Sequence, residues 1–252
     1  MKLYSYADHM VASDSFRLFK KECQMDQAIM DQFQSEIAQL RSYIYSADSD
    51  WCLDQSILDL MDRILDMEGS EGLRIKFVRL LCICAMRSNF FTLLMNDRSH
   101  VILKYCHQFD QLCPEEQRFV TILLLNISSN PKGIDYLMFF SPWEHHNMPL
   151  NNCQACQNII QLALSNTNPN VRHQAWRLLA NLSSRHGTYS ERPQTLQVYN
   201  KFVEFVKSCI NDNKTIIANE NHLIIQEAKK NIEIEHKNEF DFSTLNLPEE
   251  LK

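Results

Sequence analysis

The residues best placed to do chemistry are thiols, imidazoles and guanidinium groups. Cys153-x-x-Cys156 follows His145-His146 and offers soft and borderline donors of the kind zinc takes. A zinc site needs four ligands in a tetrahedron, and no second cysteine pair stands at suitable spacing. Cys82-x-Cys84 diverges around a helix, since positions i and i+2 do not share a face. A redox Cys-x-x-Cys calls for a βαβ setting, which nothing around Cys153 provides. The sequence has no GxGxxG, P-loop, GxSxG or HExxH. With four glycines in all, a phosphate-cradling loop is not expected. Glu115-Glu116 and Glu249-Glu250 read as a solvated helix start and a solvated terminal segment. The expectation is a protein with no catalytic residues, no metal and no cofactor: not an enzyme.

The guanidinium groups invite recognition instead. Arg79 lies in FVRLLCICA and Arg177 in AWRLLANLS, each followed by Leu-Leu. Lys76 precedes Arg79 by three residues, Arg172 and His173 precede Arg177, and Asn181 lies one turn beyond Arg177 on the same helix face. Two readings stand side by side. These are solvated side chains on amphipathic helices, or they are equivalent positions lining one groove, where a planar fork grips carboxylates through paired hydrogen bonds. Trp176, flanked by Ala175, Leu178 and Leu179, reads as core. Trp143, inside a polar insert, is the more exposed aromatic, or else a loop anchor packed over its neighbours.

The elements that must hold these groups are helical. The chain has 252 residues with 4 Gly and 7 Pro, too few punctuators for a sandwich, barrel or Rossmann chain. Apolar positions Ile29, Met30, Phe33, Ile37, Leu40 and Ile44 follow helical spacing, and Leu53, Ile57, Leu60 and Ile64 continue it. Residues 73–95 and 118–138 superpose at an offset of 44, so that Leu81 meets Leu125, Ile83 meets Ile127 and Leu93 meets Leu137. A third unit spans 168–185, after an insert at 141–152. Asn130-Pro131 and Asn168-Pro169 each set a capping Asn before a Pro at the first helical position. Self-similarity at about 40–47 residues predicts an all-α, armadillo/HEAT-like right-handed helical solenoid. The expected organisation is a weakly structured extension over 1–24, one repeat domain over 25–232, with helices near 193–210 and 215–232, and an acidic terminal segment over 233–252.

Net charge is −6, without the basic footprint of a nucleic-acid binder. No apolar run approaches a membrane span, and the N-terminal residues lack a signal-peptide core. Nine cysteines spread through apolar helical runs read as reduced core thiols of the cytosol or nucleus. The expected state is a monomer that binds neither nucleic acid nor membrane.

Four stretches together resemble the PUL domain of the phospholipase-activating protein family: Val78-Arg79 with Cys82, Leu94-Met95 with Arg98, Leu124-Leu125-Asn126 with Ser128, and Trp176-Arg177-Leu178-Leu179-Ala180-Asn181. The resemblance covers roughly residues 70–185, and Ile83 departs from it where that family commonly has Asn. It implies an armadillo-like adaptor that takes the acidic C-terminal tail of the valosin-containing AAA ATPase of ubiquitin pathways. By the same resemblance, Arg79 and Arg177 receive the tail, within a groove that also holds Lys76, Asn126, Arg172 and Asn181. The alternative is an armadillo-type scaffold for another protein partner that uses the 141–152 insert surface. No β-propeller or ubiquitin-binding middle domain accompanies the repeats in this sequence. The expectation is therefore either an adaptor that holds the tail without ubiquitin, or one portion of a longer adaptor.

Overall fold

A computed structural model describes residues 6–46, 52–87, 89–139, 142–145, 148–183 and 193–212. These residues are mostly helical, and among them one two-stranded hairpin is the only sheet, in keeping with an all-α protein. The chain divides into two compact units, 1–132 and 133–252.

The first unit runs α1 (Tyr6–Cys23), α2 (Gln27–Tyr45), α3 (Ser56–Leu65), α4 (Glu71–Cys84), α5 (Phe90–Met95), α6 (Val101–His107), a 3₁₀ turn (Phe109–Gln111) and α7 (Pro114–Ser128). Here the structure departs from the sequence expectation for residues 1–24. Ala12, Phe16, Phe19 and Cys23 recur at helical spacing and are buried, so α1 packs against α2 and α4. The periodicity is hard to see because two of its four positions are small residues and the segment between them is polar.

In α4, Leu73, Phe77, Val78 and every residue from Leu80 to Cys84 are buried, because α1 and α7 flank this helix. Behind that row α3 packs on α6. Helices α4 and α7 carry the stretches that align at an offset of 44, and they pack against each other. Polar groups fix the register. The Asn126 amide donates to the Cys82 carbonyl at 2.8 Å, and the Cys82 thiol donates to the Phe119 carbonyl at 3.4 Å. Arg74 Nε meets Glu116 Oε1 at 2.7 Å across the same interface. The turn into α4 uses Gly69 at φ +74, a left-handed conformation that favours glycine.

The second unit continues from α8 (Pro131–Leu137), whose first turn spans the division. It adds β1 (Trp143–His145), β2 (Met148–Leu150), α9 (Asn152–Leu164), α10 (Pro169–Ser183) and α11 (Pro193–Asp212). Both predicted Asn-Pro starts form. Asn130 Oδ1 accepts from Lys132 N at 2.9 Å, and Asn168 Oδ1 accepts from Asn170 N at 3.0 Å. The insert is an antiparallel hairpin pairing Trp143 with Leu150. Helix α9 packs against both α10 and α11, and Trp176 is buried. The expected helix near 215–232 and the 233–252 segment lie outside the described residues.

Candidate functional site

The exposed stripe of α4 is narrow, because the helix is buried on most sides. Past its first two residues it shows only Arg74, Ile75, Lys76 and Arg79, all half-buried. Lys76 Nζ is ion-paired to Glu22 Oε2 of α1. Gly72 makes room for that carboxylate, since a Cβ there would stand 3.1 Å from Glu22 Oε1. Arg79 has no hydrogen-bond or ion-pair partner among the described residues. Its charge is felt by the Cys82 thiol, which burial pushes far up, with Cys106 and Cys84 adding and Arg79 opposing. On α7 the adjacent stripe holds Phe119, Ile122, Leu125 and Asn126, half-buried, and exposed Arg118. The Arg118 guanidinium carbon sits 5.8 Å from the Phe119 ring centroid. Asn126 has committed its amide nitrogen to the Cys82 carbonyl.

In the second unit, Arg172 Nη1 donates to the carbonyls of Asn166 at 2.8 Å and Thr167 at 3.0 Å. It therefore holds the loop that leads into its own helix. Arg177 is exposed on α10 and has no hydrogen-bond or ion-pair partner among the described residues. Asn181, one turn on, is half-buried, and His173, one turn back, is exposed. The structure thus sets Lys76, Arg79 and Asn126 in the first unit, and Arg172, Arg177 and Asn181 in the second. Of these six, Arg79 and Arg177 have no hydrogen-bond or ion-pair partner among the described residues.

Sequence reasoning passed over two features. Arg118 was overlooked because it precedes an aromatic rather than Leu-Leu. The second is a charge pattern: no Asp or Glu occurs between Glu144 and Glu191, although the chain carries 31 acidic residues. That run contains α9 and α10. Counting charge by segment rather than over the whole chain would have found it.

The thiol and imidazole cluster around the insert is packed rather than open. Cys153 and Cys156 are buried on α9. Cys153 Sγ lies 3.9 Å from Met138 Sδ, and burial pushes its thiol up to about 12. Such a group stays protonated at neutral pH and is a poor ligand or nucleophile. Among the described residues no three His, Cys, Asp or Glu side chains are grouped to hold a metal. Of the two readings of Trp143, the packed anchor holds and the exposed aromatic does not: it is 8% exposed. Its Nε1 donates to Asn152 Oδ1 at 2.9 Å, and Asn152 Nδ2 donates to the Tyr136 carbonyl at 2.8 Å. The indole anchors the hairpin to α8 and α9.

No family model matches the sequence, and no curated protein matches it. Among solved structures the chain is similar to a crystal structure of an engineered protein. The identity is 14% over 89% of this chain and 91% of that one, with a TM-score of 0.46, and nothing below draws on it. No helix among the described residues is long and apolar enough to cross a membrane.

Proposed function

We propose that the protein is a non-enzymatic adaptor of armadillo-like, right-handed helical repeats whose arginine-bearing helix faces receive an acidic peptide. The resemblance to PUL domains names the partner as the tail of the valosin-containing AAA ATPase, in ubiquitin-dependent turnover in the cytosol or nucleus. The observation that carries this reading is the state of Arg79 and Arg177. They occupy matching Arg-Leu-Leu positions, and each lacks a hydrogen-bond or ion-pair partner among the described residues while Lys76, Asn126 and Arg172 are engaged within the fold. An unpaired guanidinium at a helix surface is ready to take a carboxylate through two parallel hydrogen bonds. The register bonds between α4 and α7 support the repeat architecture.

Calorimetric titration of the chain with the ATPase tail peptide tests this. Replacing either arginine by alanine should cost about 1.5–3 kcal/mol of binding if it meets a carboxylate. The double variant should lose saturable binding with its helical signal intact. Unchanged affinity in the double variant, or no binding by the parent chain near a millimolar, would reject the reading.

The scaffold alternative draws on Phe139 and Met148, which are 49% and 56% exposed beside the insert. It predicts that Met148→Ser, and neither arginine change, abolishes partner capture.

A further inference from the structure

We infer that the acid-free face of α9 and α10 is a docking surface for an acidic extended segment, and that the chain's own residues 233–252 occupy it in competition with ligands from outside. This rests on the reading of Arg177 given above and adds its regulation.

The surface is unusual for a chain of net charge −6. The exposed polar side chains along α9 and α10 include Gln154, Asn158, Gln161, Asn170, His173 and Arg177, and no carboxylate stands among them. The described acids of this unit lie on other elements: Asp135 on α8, Glu144 on β1, and Glu204 and Asp212 on α11. Carboxamides both donate and accept, so they can pair with the open N–H and C=O groups of an extended backbone. Arg177 supplies the fork for a carboxylate. The acid missing from this surface is concentrated elsewhere in the same sequence. Residues 233–252 carry Glu233, Glu235, Glu239, Asp241, Glu249 and Glu250 against Lys237 and Lys252.

The two are within reach. Helix α11 packs on α9 and α9 packs on α10, so about two helix diameters, roughly 20 Å, separate α11 from the far side of α10. Residues 213–232 join α11 to the acidic segment and span about 30 Å even as a continuous helix, and more when extended. A tethered segment at that distance has an effective concentration of about 1 mM. If its intrinsic dissociation constant is on the order of 100 μM, it weakens an outside competitor about tenfold.

The test uses the full chain and a fluorescent peptide copied from residues 233–252, read by polarisation. In a second full chain, Glu235→Gln, Glu239→Gln and Asp241→Asn remove charge from the tethered copy while keeping its rings. The probe should bind this neutralised chain about tenfold more tightly than the parent. Adding Arg177→Ala should abolish the gain, and Arg177 is exposed, so its loss leaves the core intact. Equal affinity for parent and neutralised chain, no probe binding to either, or indifference to Arg177→Ala would each overturn the inference. So would equal binding by a scrambled peptide or by a single-stranded oligonucleotide of matched charge, which would mark general attraction for polyanions. The ATPase tail peptide, run on the same chains, separates the two ideas. Failure to bind the neutralised chain while the probe binds rejects the proposed partner alone. Identical binding to parent and neutralised chain rejects the internal competitor alone.

Discussion

Arg74 holds a deeply buried ion pair in the first unit, and replacing it with methionine should cost about 3 kcal/mol. Its side chain is 14% exposed and that of Glu116 1%, so the pair is screened little by water. Arg74 also donates to the Met67 carbonyl. Glu116 Oε1 accepts from the Tyr105 hydroxyl at 2.9 Å, and Oε2 from the Cys113 N–H at 3.1 Å. Arg74→Met keeps most of the stem's volume and removes the charge, leaving a buried carboxylate with two neutral donors. Removing one partner of a buried pair costs about 3–5 kcal/mol, and the two surviving donors place this case at the lower end. Glu116→Gln strands the guanidinium in the same way and should cost about 2 kcal/mol. With both charges gone, nothing buried is left uncompensated. The double variant should therefore cost no more than Arg74→Met alone, a coupling of about 2 kcal/mol. Urea unfolding followed by the helical signal measures this by linear extrapolation. Reactivity of Cys84, buried in the same unit, reports whether the opening is local. Strictly additive single effects, or a cost below about 1 kcal/mol for Arg74→Met, would show the pair behaving as a solvated surface bridge and would refute the reasoning.

Three further outcomes follow from the geometry. Burial alone would raise the Glu116 carboxyl, but Arg74, the Cys113 N–H and Tyr105 outweigh it and hold it below the usual carboxylate range. Its contribution is complete above the unfolded value near ~4.3 and is lost as pH falls through the lower folded value, so Glu116→Gln should flatten the acid limb of a melting-temperature profile. Arg87 donates to the carbonyls of Tyr43, Ile44 and Ser46 at the end of α2, and its guanidinium carbon stands 5.0 Å from the Tyr43 ring centroid. Arg87→Ala should cost about 2 kcal/mol in chemical unfolding, and Arg87→Lys should recover less than half, because an ammonium cannot span three carbonyls with a planar fork. In a thiol-reagent time course at pH 8, exposed Cys52 should react first. Cys23, Cys84 and Cys153, each pushed up to about 12 chiefly by burial, should lag by a factor on the order of a thousand until the chain unfolds.

Much of the helical framework was legible, for reasons that can be located. Ile29, Phe33, Ile37, Leu40 and Ile44 are all buried, because an amphipathic stripe at 3.6-residue spacing has one way to hide from water. The Asn-Pro pairs marked the starts of α8 and α10 because both halves of that signal are local. The hairpin was not legible. Its strands are three residues long, too short for alternation to register, and Trp143 is held by an Asn152 that belongs to the next helix.

The candidate site divides along the same line between local and distant causes. The two Arg-Leu-Leu triplets themselves could be read from the sequence. Which cations are already spent could not. Lys76 and Glu22 are 54 residues apart, and Asn126 and Cys82 are 44 apart; both pairings exist because α1, α4 and α7 stack. Near Arg79, the Glu22 carboxylate of α1 is paired with Lys76, one turn earlier on α4. Around Arg177, by contrast, the stretch of sequence supplies no carboxylate at all. Availability in the first unit is a product of tertiary structure, whereas in the second it is written into composition. Introducing a carboxylate by Gln174→Glu or Asn181→Asp, each in the turn beside Arg177, should therefore blunt acidic-peptide binding about as much as removing the arginine.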